Sequence, residues 1–240
     1  MVSTPANGDI DADGTLEIVA ITMEGDLWVV NPDGTIRDGF PVGLPEVLSA
    51  DTRRGGPGNR DSIVERGAFA SPSLADLDGD GNLEIVQPAF DGRVYVYRED
   101  GSMQSGFPVT ITAPLLWLDP ADAQPSRIMT SAAIGDANGD GLLDIAVGSN
   151  EYGDQSGTGA VHLIHGDGND HAGGAYHDNW PVQVVSLELF PLVGRGVPSA
   201  VAMADINADG RPDLAIAGTA NRVEILDGIQ PPREAGEPAE

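Results

Sequence analysis

Asp76-LDGDGNLE-Ile85 is the stretch on which the reading of this chain turns, because the pattern is written four times. It aligns without a gap with Asp9-IDADGTLE-Ile18, Asp136-ANGDGLLD-Ile145 and Asp205-INADGRPD-Leu214. The first residues of successive copies are 67, 60 and 69 positions apart, and every copy satisfies D-x-[DN]-x-D-G-x-x-[DE]. Self-similarity of this kind marks a repeat architecture, in which each repeat is one supersecondary unit.

The flanks repeat with the loops. A short run of small residues precedes them: Ser71-PSLA, Ser131-AAIG and Ser199-AVAMA, with a degenerate Thr4-PANG in the first copy. An apolar, β-branched run follows: Ile18-VAIT, Ile85-VQPA, Ile145-AVGS and Leu214-AIAG. A third run alternates with period two, as Leu27-WVV, Val94-YVY, Val161-HLI and Val223-EIL, and leads into turns such as Asn31-PDG and Glu99-DG. The fourth run is Gly39-FPV, Gly106-FPV and Asn179-WPV; the last copy lacks it and passes through Gly228-IQPP into an acidic, Pro-rich tail. Four short strands joined in order by tight turns predict an antiparallel meander. One such sheet cannot bury both faces, whereas units repeated radially can, so the predicted fold is all-β, built of β-propeller blades. The small-residue first strand fits the crowded innermost position, and the Pro-bearing fourth strand the outer edge, where a missing N–H costs nothing. The expected blades span about 3–43, 70–110, 130–183 and 199–228, the last without its outer strand, followed by a tail over 229–240.

The loops carry the chemistry of a hard cation. Calcium takes six to eight oxygens, and carboxylates at positions 1, 3 and 5 of a curled loop share one focus. Gly14, Gly81, Gly141 and Gly210 stand at position 6, where the chain must turn sharply. An acid closes the shell at position 9: Glu17, Glu84, Asp144 and Asp213. An EF-hand requires a bidentate Glu at position 12 and flanking helices. Position 12 holds Ala20, Gln87, Val147 and Ile216, inside strand-like runs, so that motif is excluded.

Composition agrees and excludes further classes. The chain of 240 residues has a formal charge of −26, and its 12 basic residues are all Arg. Such a surface repels nucleic acid and anionic lipid. The four loops hold 14 of the 38 acidic residues; four Ca²⁺ would leave −18, the remainder being solvated surface charge. With no cysteine there is no disulfide, thiolate metal site or Cys nucleophile. No apolar run approaches the ~20 residues of a membrane span. Met1-Val2-Ser3-Thr4-Pro5 has neither a basic nor an apolar leader region, so either the chain is intracellular or, as expected for an exported protein, its true N-terminus was removed.

On these loops and flanks the chain resembles the FG-GAP/VCBS repeat family, whose best-known members are the propellers of integrin α chains; the repeated GFPV run is most similar to bacterial secreted members. The resemblance covers residues 3–228 and implies that these four blades are part of a seven- or eight-bladed ring. It implies calcium ligands at Asp9, Asp11, Asp13, the Thr15 carbonyl and Glu17 in blade one, and at Asp76, Asp78, Asp80, the Asn82 carbonyl and Glu84 in blade two. In blade three it implies Asp136, Asn138, Asp140, the Leu142 carbonyl and Asp144, and in blade four Asp205, Asn207, Asp209, the Arg211 carbonyl and Asp213. The function it implies is a non-catalytic adhesion or ligand-binding module of a secreted or cell-surface protein, with a protein or carbohydrate ligand. The alternatives are the propeller of a calcium-dependent polysaccharide lyase and a passive scaffold. No Ser-His-Asp order, P-loop or dinucleotide fingerprint appears.

Other clusters stand outside the loops. His162, His165, His171 and His177, with Asp167, Asp170 and Asp178, read as a polar hairpin loop with two surface histidines before it; the competing reading is a transition-metal or acid–base site. Trp28, Tyr95 and Tyr97 are expected to pack between blades rather than to stack on sugars. Arg53, Arg54, Arg60 and Arg66 lie in one segment and are the candidates for gripping an anionic ligand. They fall on the face opposite the calcium loops, where the long interblade segments 44–68, 112–128 and 184–198 place the expected recognition surface. An unpaired edge in a four-blade piece predicts self-association.

Overall fold

The computed structural model describes residues 3–45, 67–112, 127–151, 160–183, 195–197, 199–217 and 223–226. Its strands follow the repeat. Blade one is an antiparallel meander of β1 (Ala6–Gly8), β2 (Glu17–Ile21), β3 (Asp26–Val30) and β4 (Val42–Gly43). Blade two repeats it with β5 (Ser73–Ala75), β6 (Glu84–Pro88), β7 (Arg93–Tyr97) and β8 (Val109–Thr110). Blade three has β9 (Arg127–Ile128), β10 (Ala133–Gly135), β11 (Asp144–Glu151), β12 (Ala160–His165), β13 (Val182–Gln183) and β14 (Arg195–Gly196). Blade four contributes β15 (Ala202–Ala204), β16 (Asp213–Ala217) and β17 (Val223–Leu226).

The apolar cores lie between blades, not within them. Ile10, Val19, Leu27 and Val29 of blade one pack on Ile85, Tyr95 and Tyr97 of blade two. Val86, Val94 and Val96 turn the other way and meet Ile145, Val147 and Ile164. Ala146, Val161 and Leu163 then meet Leu214 and Ile216. Adjacent residues of one strand thus serve opposite neighbours, which is why β6 is buried along its whole length while β2 of blade one alternates buried and exposed. Tyr95 and Tyr97 stack at 6.4 Å inside the first core, as packing residues. The first strands of successive blades lie side by side. The Thr4 N–H donates to Ser71 Oγ (2.8 Å), the Ser71 N–H to Ser131 Oγ (2.9 Å), and Ser73 Oγ to the Ala132 carbonyl (2.9 Å). Small hydroxylated residues let three backbones approach and then tie them together.

Two features differ from the sequence expectation. The Gly-Phe-Pro of the fourth run is not strand: β4, β8 and β13 begin after the proline and are two residues long. The glycine docks on the next blade instead. A Cβ at Gly39 would lie 2.0 Å from the Asp100 carbonyl oxygen, and one at Gly106 would lie 2.0 Å from that of Asp167. Blade three is six-stranded, because β11 runs eight residues and overhangs its neighbours. The bare N–H and C=O groups of the overhang are paired by β9 and β14, from the interblade segments.

Candidate metal centres

Each Asp-rich loop joins the first and second strands of its blade, and all four share one hydrogen-bond frame. The position-1 carboxylate accepts the N–H of the position-6 glycine: Gly14 to Asp9 (2.9 Å), Gly81 to Asp76 (3.0 Å), Gly141 to Asp136 (2.8 Å) and Gly210 to Asp205 (2.9 Å). The position-5 carboxylate accepts the N–H of position 7: Thr15 to Asp13, Asn82 to Asp80, Leu142 to Asp140 and Arg211 to Asp209, at 2.7–2.9 Å. The position-9 acid is buried and accepts the N–H of position 2: Ile10 to Glu17, Leu77 to Glu84, Ala137 to Asp144 and Ile206 to Asp213. The glycines at position 6 have φ of 87–96°, a region closed to most side chains. Position 4 is left-handed as well, at Ala12 (56°), Gly79 (76°), Gly139 (78°) and Ala208 (61°), a requirement the sequence pattern did not single out. The Gly79 and Gly139 of the two D/N-G-D-G copies were the available signal.

Within this frame the loops are not equal. Asp9, Asp11 and Asp13 bring ligand oxygens within 4.8 Å of one another in loop one, as do Asp76, Asp78 and Glu84 in loop two. Two of these residues carry buried oxygens without a donor, Asp11 Oδ1 and Glu84 Oε1. A buried carboxylate oxygen with no partner is costly, and a divalent cation is the partner that suits both the charge and the all-oxygen surroundings. Burial, with Asp78 and Asp80 adding to it against the Leu77 N–H, pushes the Glu84 carboxyl up to about 7.

Two arginines from outside the Asp-rich pattern reach these two loops. Arg37 is 2.9 Å from Asp11 Oδ2, and Arg98 is 2.6 Å from Asp78 Oδ2. Replacing Arg98 by Ala is expected to tighten calcium binding at loop two up to about tenfold at low salt. A guanidinium some 6 Å from a divalent ion costs about 1.4 kcal/mol even at bulk-water dielectric. Calcium titration of the variant against wild type at low and high ionic strength checks this, and a weakened affinity would mean that Arg98 chiefly orients Asp78.

Loop three keeps the frame but not the acidic focus. Asn138 Nδ2 donates to Asp140 Oδ2 (2.8 Å), and Asp144 Oδ1 accepts from His177 Nε2 at 2.7 Å. The cluster found here is Asp144, His165 and His177. In loop four, Asp205, Asn207 and Asp209 are exposed and Asp213 is buried, and among the described residues these do not form a comparable group. Arg53, Arg54, Arg60 and Arg66, with most of the long interblade segments, lie outside the described residues.

The histidines correct an expectation. His162 is no surface residue: its side chain is fully buried, with Nε2 2.8 Å from Ser149 Oγ and Nδ1 3.1 Å from the Tyr176 hydroxyl. A strand covered on both faces buries both of its alternating sets, so its polar position became core. Burial lowers the His162 pKa from 6.5 to about 3. The unfolded chain therefore takes up a proton that the fold refuses, and stability falls as pH drops below about 6.5, by about 1.4 kcal/mol per pH unit until the pH nears 3. Melting curves between pH 7 and 4.5 should fall more steeply for wild type than for His162→Gln; parallel curves would show that other groups govern the acid limb.

The architecture and its loops define a β-propeller-type repeat protein. The chain belongs to the FG-GAP-like repeat family, whose model matches residues 76–147 and again 136–216, each match beginning on the first aspartate of a loop. Two structures of BBS1N in complex with ARL6DN, soaked with mercury and with lead, share the fold, with TM-scores of 0.56 and 0.54 at 10% and 11% identity. The alignments cover 94% and 93% of this chain and 55% and 54% of those chains, so the chain spans about half their length. The Pseudomonas aeruginosa PilY1 C-terminal domain aligns with a TM-score of 0.46 at 13% identity, over 92% of this chain and 46% of that one. A comparison with curated proteins finds no match. Among the described residues no helix is long and apolar enough to cross a membrane.

Proposed function

We propose that this chain is a calcium-binding, non-catalytic propeller module that presents a protein or carbohydrate ligand surface in a secreted or cell-surface protein, with one Ca²⁺ per Asp-rich loop. The observation that carries the calcium reading is the pair of buried, donorless oxygens, Asp11 Oδ1 and Glu84 Oε1, inside loops whose backbones already hold the remaining carboxylates. In each loop the ligands would be the carboxylates or amide oxygens of positions 1, 3, 5 and 9 and the carbonyl of position 7. Calcium there would neutralise three or four converging acids and fix the first–second connections. A binding role is supported by membership of the repeat family, and a protein ligand by the fold relative that is itself in complex with a protein.

The test has two arms. Calorimetric titration of chelator-stripped chain with calcium is expected to show binding that Asp80→Asn removes at one site. An array of glycans and matrix proteins, probed with and without calcium, is expected to give retained binding without product release. Absence of calcium binding overturns the metal reading, and depolymerisation of a bound polysaccharide overturns the non-catalytic one.

A further inference from the structure

The repeat allows each blade to serve as a control for the others. The isolated bridges Val30–Ile36, Tyr97–Met103 and Ile164–Tyr176 mark equivalent points in blades one, two and three. The residue after each member is therefore equivalent too: Asn31, Arg98 and His165 in one row, Arg37, Gln104 and His177 in the other. Blades one and two place one arginine in this pair of rows, and its guanidinium binds the position-3 aspartate. Blade three has no arginine there. It has two imidazoles, a neutral Asn138 at position 3, and a shorter acid, Asp144, at position 9.

The three side chains sit on neighbouring backbone lines. Asp144 opens β11, His165 closes β12 directly opposite it, and His177 lies on the segment beyond, where its N–H bonds the Leu163 carbonyl. Asp144 Oδ1 is 2.7 Å from His177 Nε2 and 3.8 Å from His165 Nδ1, and one ligand atom from each residue falls within a common 4.8 Å. The other Asp144 oxygen holds the Ala137 N–H at 3.0 Å. Asp144 and His177 are buried, and the His165 side chain is 13% exposed. Among the described residues the His165 ring makes no hydrogen bond; it lies between the rings of His171 and His177, with centroids 3.5 and 3.6 Å away.

We propose that this end of blade three is a second kind of metal site, for a divalent transition metal of the zinc class, ligated by Asp144, His165 and His177. Borderline cations take imidazole nitrogen where calcium takes oxygen, and two histidines with one carboxylate form a three-ligand set whose fourth position stays open. The His171 ring, 40% exposed, stacks on that of His165 beside this set. Donors around a tetrahedral zinc stand about 3.3 Å apart, given Zn–N distances near 2.0–2.1 Å. The two Asp144 spacings bracket that value and the third lies within 4.8 Å, so side-chain rotation is the adjustment that ligation calls for. The metal supplies the positive charge that Arg37 and Arg98 supply in the first two blades. In blade three this metal competes with calcium for Asp144, which is also position 9 of loop three; the proposal does not rest on calcium in the other loops, because neither imidazole belongs to the Asp-rich pattern.

The experiment titrates the whole chain, stripped by chelator, with Co²⁺ and then Zn²⁺ alone. Wild type is expected to bind one equivalent of Co²⁺ with the intense visible absorption of a tetrahedral, nitrogen-ligated ion, and Zn²⁺ is expected to abolish that band. His165→Gln and His177→Gln, each with an unchanged circular dichroism spectrum, should weaken zinc at least about tenfold. Calcium titration of the same variants reports separately on the loops of blades one and two and is expected to be unchanged there. A wild-type spectrum with only the weak band of octahedral cobalt overturns the proposal, as does zinc affinity that is the same in wild type and a double His165→Gln, His177→Gln variant. The cobalt spectrum needs no substitution, so a variant that fails to fold leaves the test standing.

Discussion

Gly106→Ala is expected to lower the melting temperature by roughly 10 °C, far more than a Gly→Ala change in an open turn. Gly106 has φ of 83°, where an added Cβ costs about 1–2 kcal/mol. The Cβ would also stand 2.0 Å from the Asp167 carbonyl oxygen, in blade three. Relief requires the 167–169 turn to withdraw, and that turn is held by two donors to the Gly106 carbonyl, Asn169 N and Asn169 Nδ2, both at 2.9 Å. Losing both adds about 2 kcal/mol. The sum, about 3–4 kcal/mol, corresponds to about 10 °C in a chain of this size. Gly34 supplies the control: its φ is 85°, but nothing lies within 4 Å of its Cβ position. Gly34→Ala carries the backbone cost without the collision. Thermal melts of the two variants side by side decide the matter, and equal losses would show that the Gly-Phe-Pro turn does not dock one blade on the next.

That docking explains why part of the fold was legible and part was not. Strand order followed from the sequence because each strand has its own local signature and neighbours in the chain are neighbours in the sheet. The role of Gly-Phe-Pro was not legible, because its partner lies 61 residues on, in a contact that exists only once two blades are juxtaposed. The proline points to the sheet edge, whereas the glycine two residues before it makes the interblade contact. A glycine repeated at the same place in the fourth run was the available signal. His162 departs from its expected surface position for a related reason. Alternation tells which side a residue faces, and in a propeller both sides are covered, so a polar residue at an alternate position is buried and must find its partners across the sheet, here Ser149 and Tyr176.

The Asp-rich loops divide the same way. The order of their acidic residues, the turn glycine and the presence of an acid at position 9 are all local and are written in the sequence. Their electrostatic neighbours are not, being 26, 20 and 33 residues distant: Arg37 on Asp11, Arg98 on Asp78 and His177 on Asp144. This alters an expectation. Loops one and two carry four carboxylates and loops three and four carry three, so charge count alone ranks the first pair as tighter calcium sites. Each of the first two loops, however, has a guanidinium on its position-3 carboxylate, which offsets the extra charge. Ranking the loops therefore requires the cross-strand rows, and blade three differs from its siblings in those rows more than in its loop.

Calcium is expected to raise the melting temperature by more than about 10 °C over the chelated chain. The reasoning is mass action: an ion that binds the folded loops and not the unfolded chain stabilises by about 2.7 kcal/mol per site at free calcium one hundred times the dissociation constant. Loops one and two alone then contribute over 5 kcal/mol, and in a chain of this length each kcal/mol moves the midpoint by about 2–4 °C. The effect has a structural origin in the chelated state. There the Asp9, Asp11 and Asp13 oxygens crowd within 4.8 Å, as do those of Asp76, Asp78 and Glu84, and Asp11 Oδ1 and Glu84 Oε1 are buried without a donor. Both penalties vanish when a cation takes the focus. Scanning calorimetry in chelator, in magnesium and in calcium makes the comparison. Magnesium, which demands a tight octahedron and keeps its waters, should give a much smaller shift. Asp76→Asn should remove a single site's share of the calcium shift, because its carboxylate both frames loop two and belongs to the cluster. A midpoint that does not move with calcium would mean that the Asp-rich loops are held by their own N–H groups, and the calcium reading would fail with it.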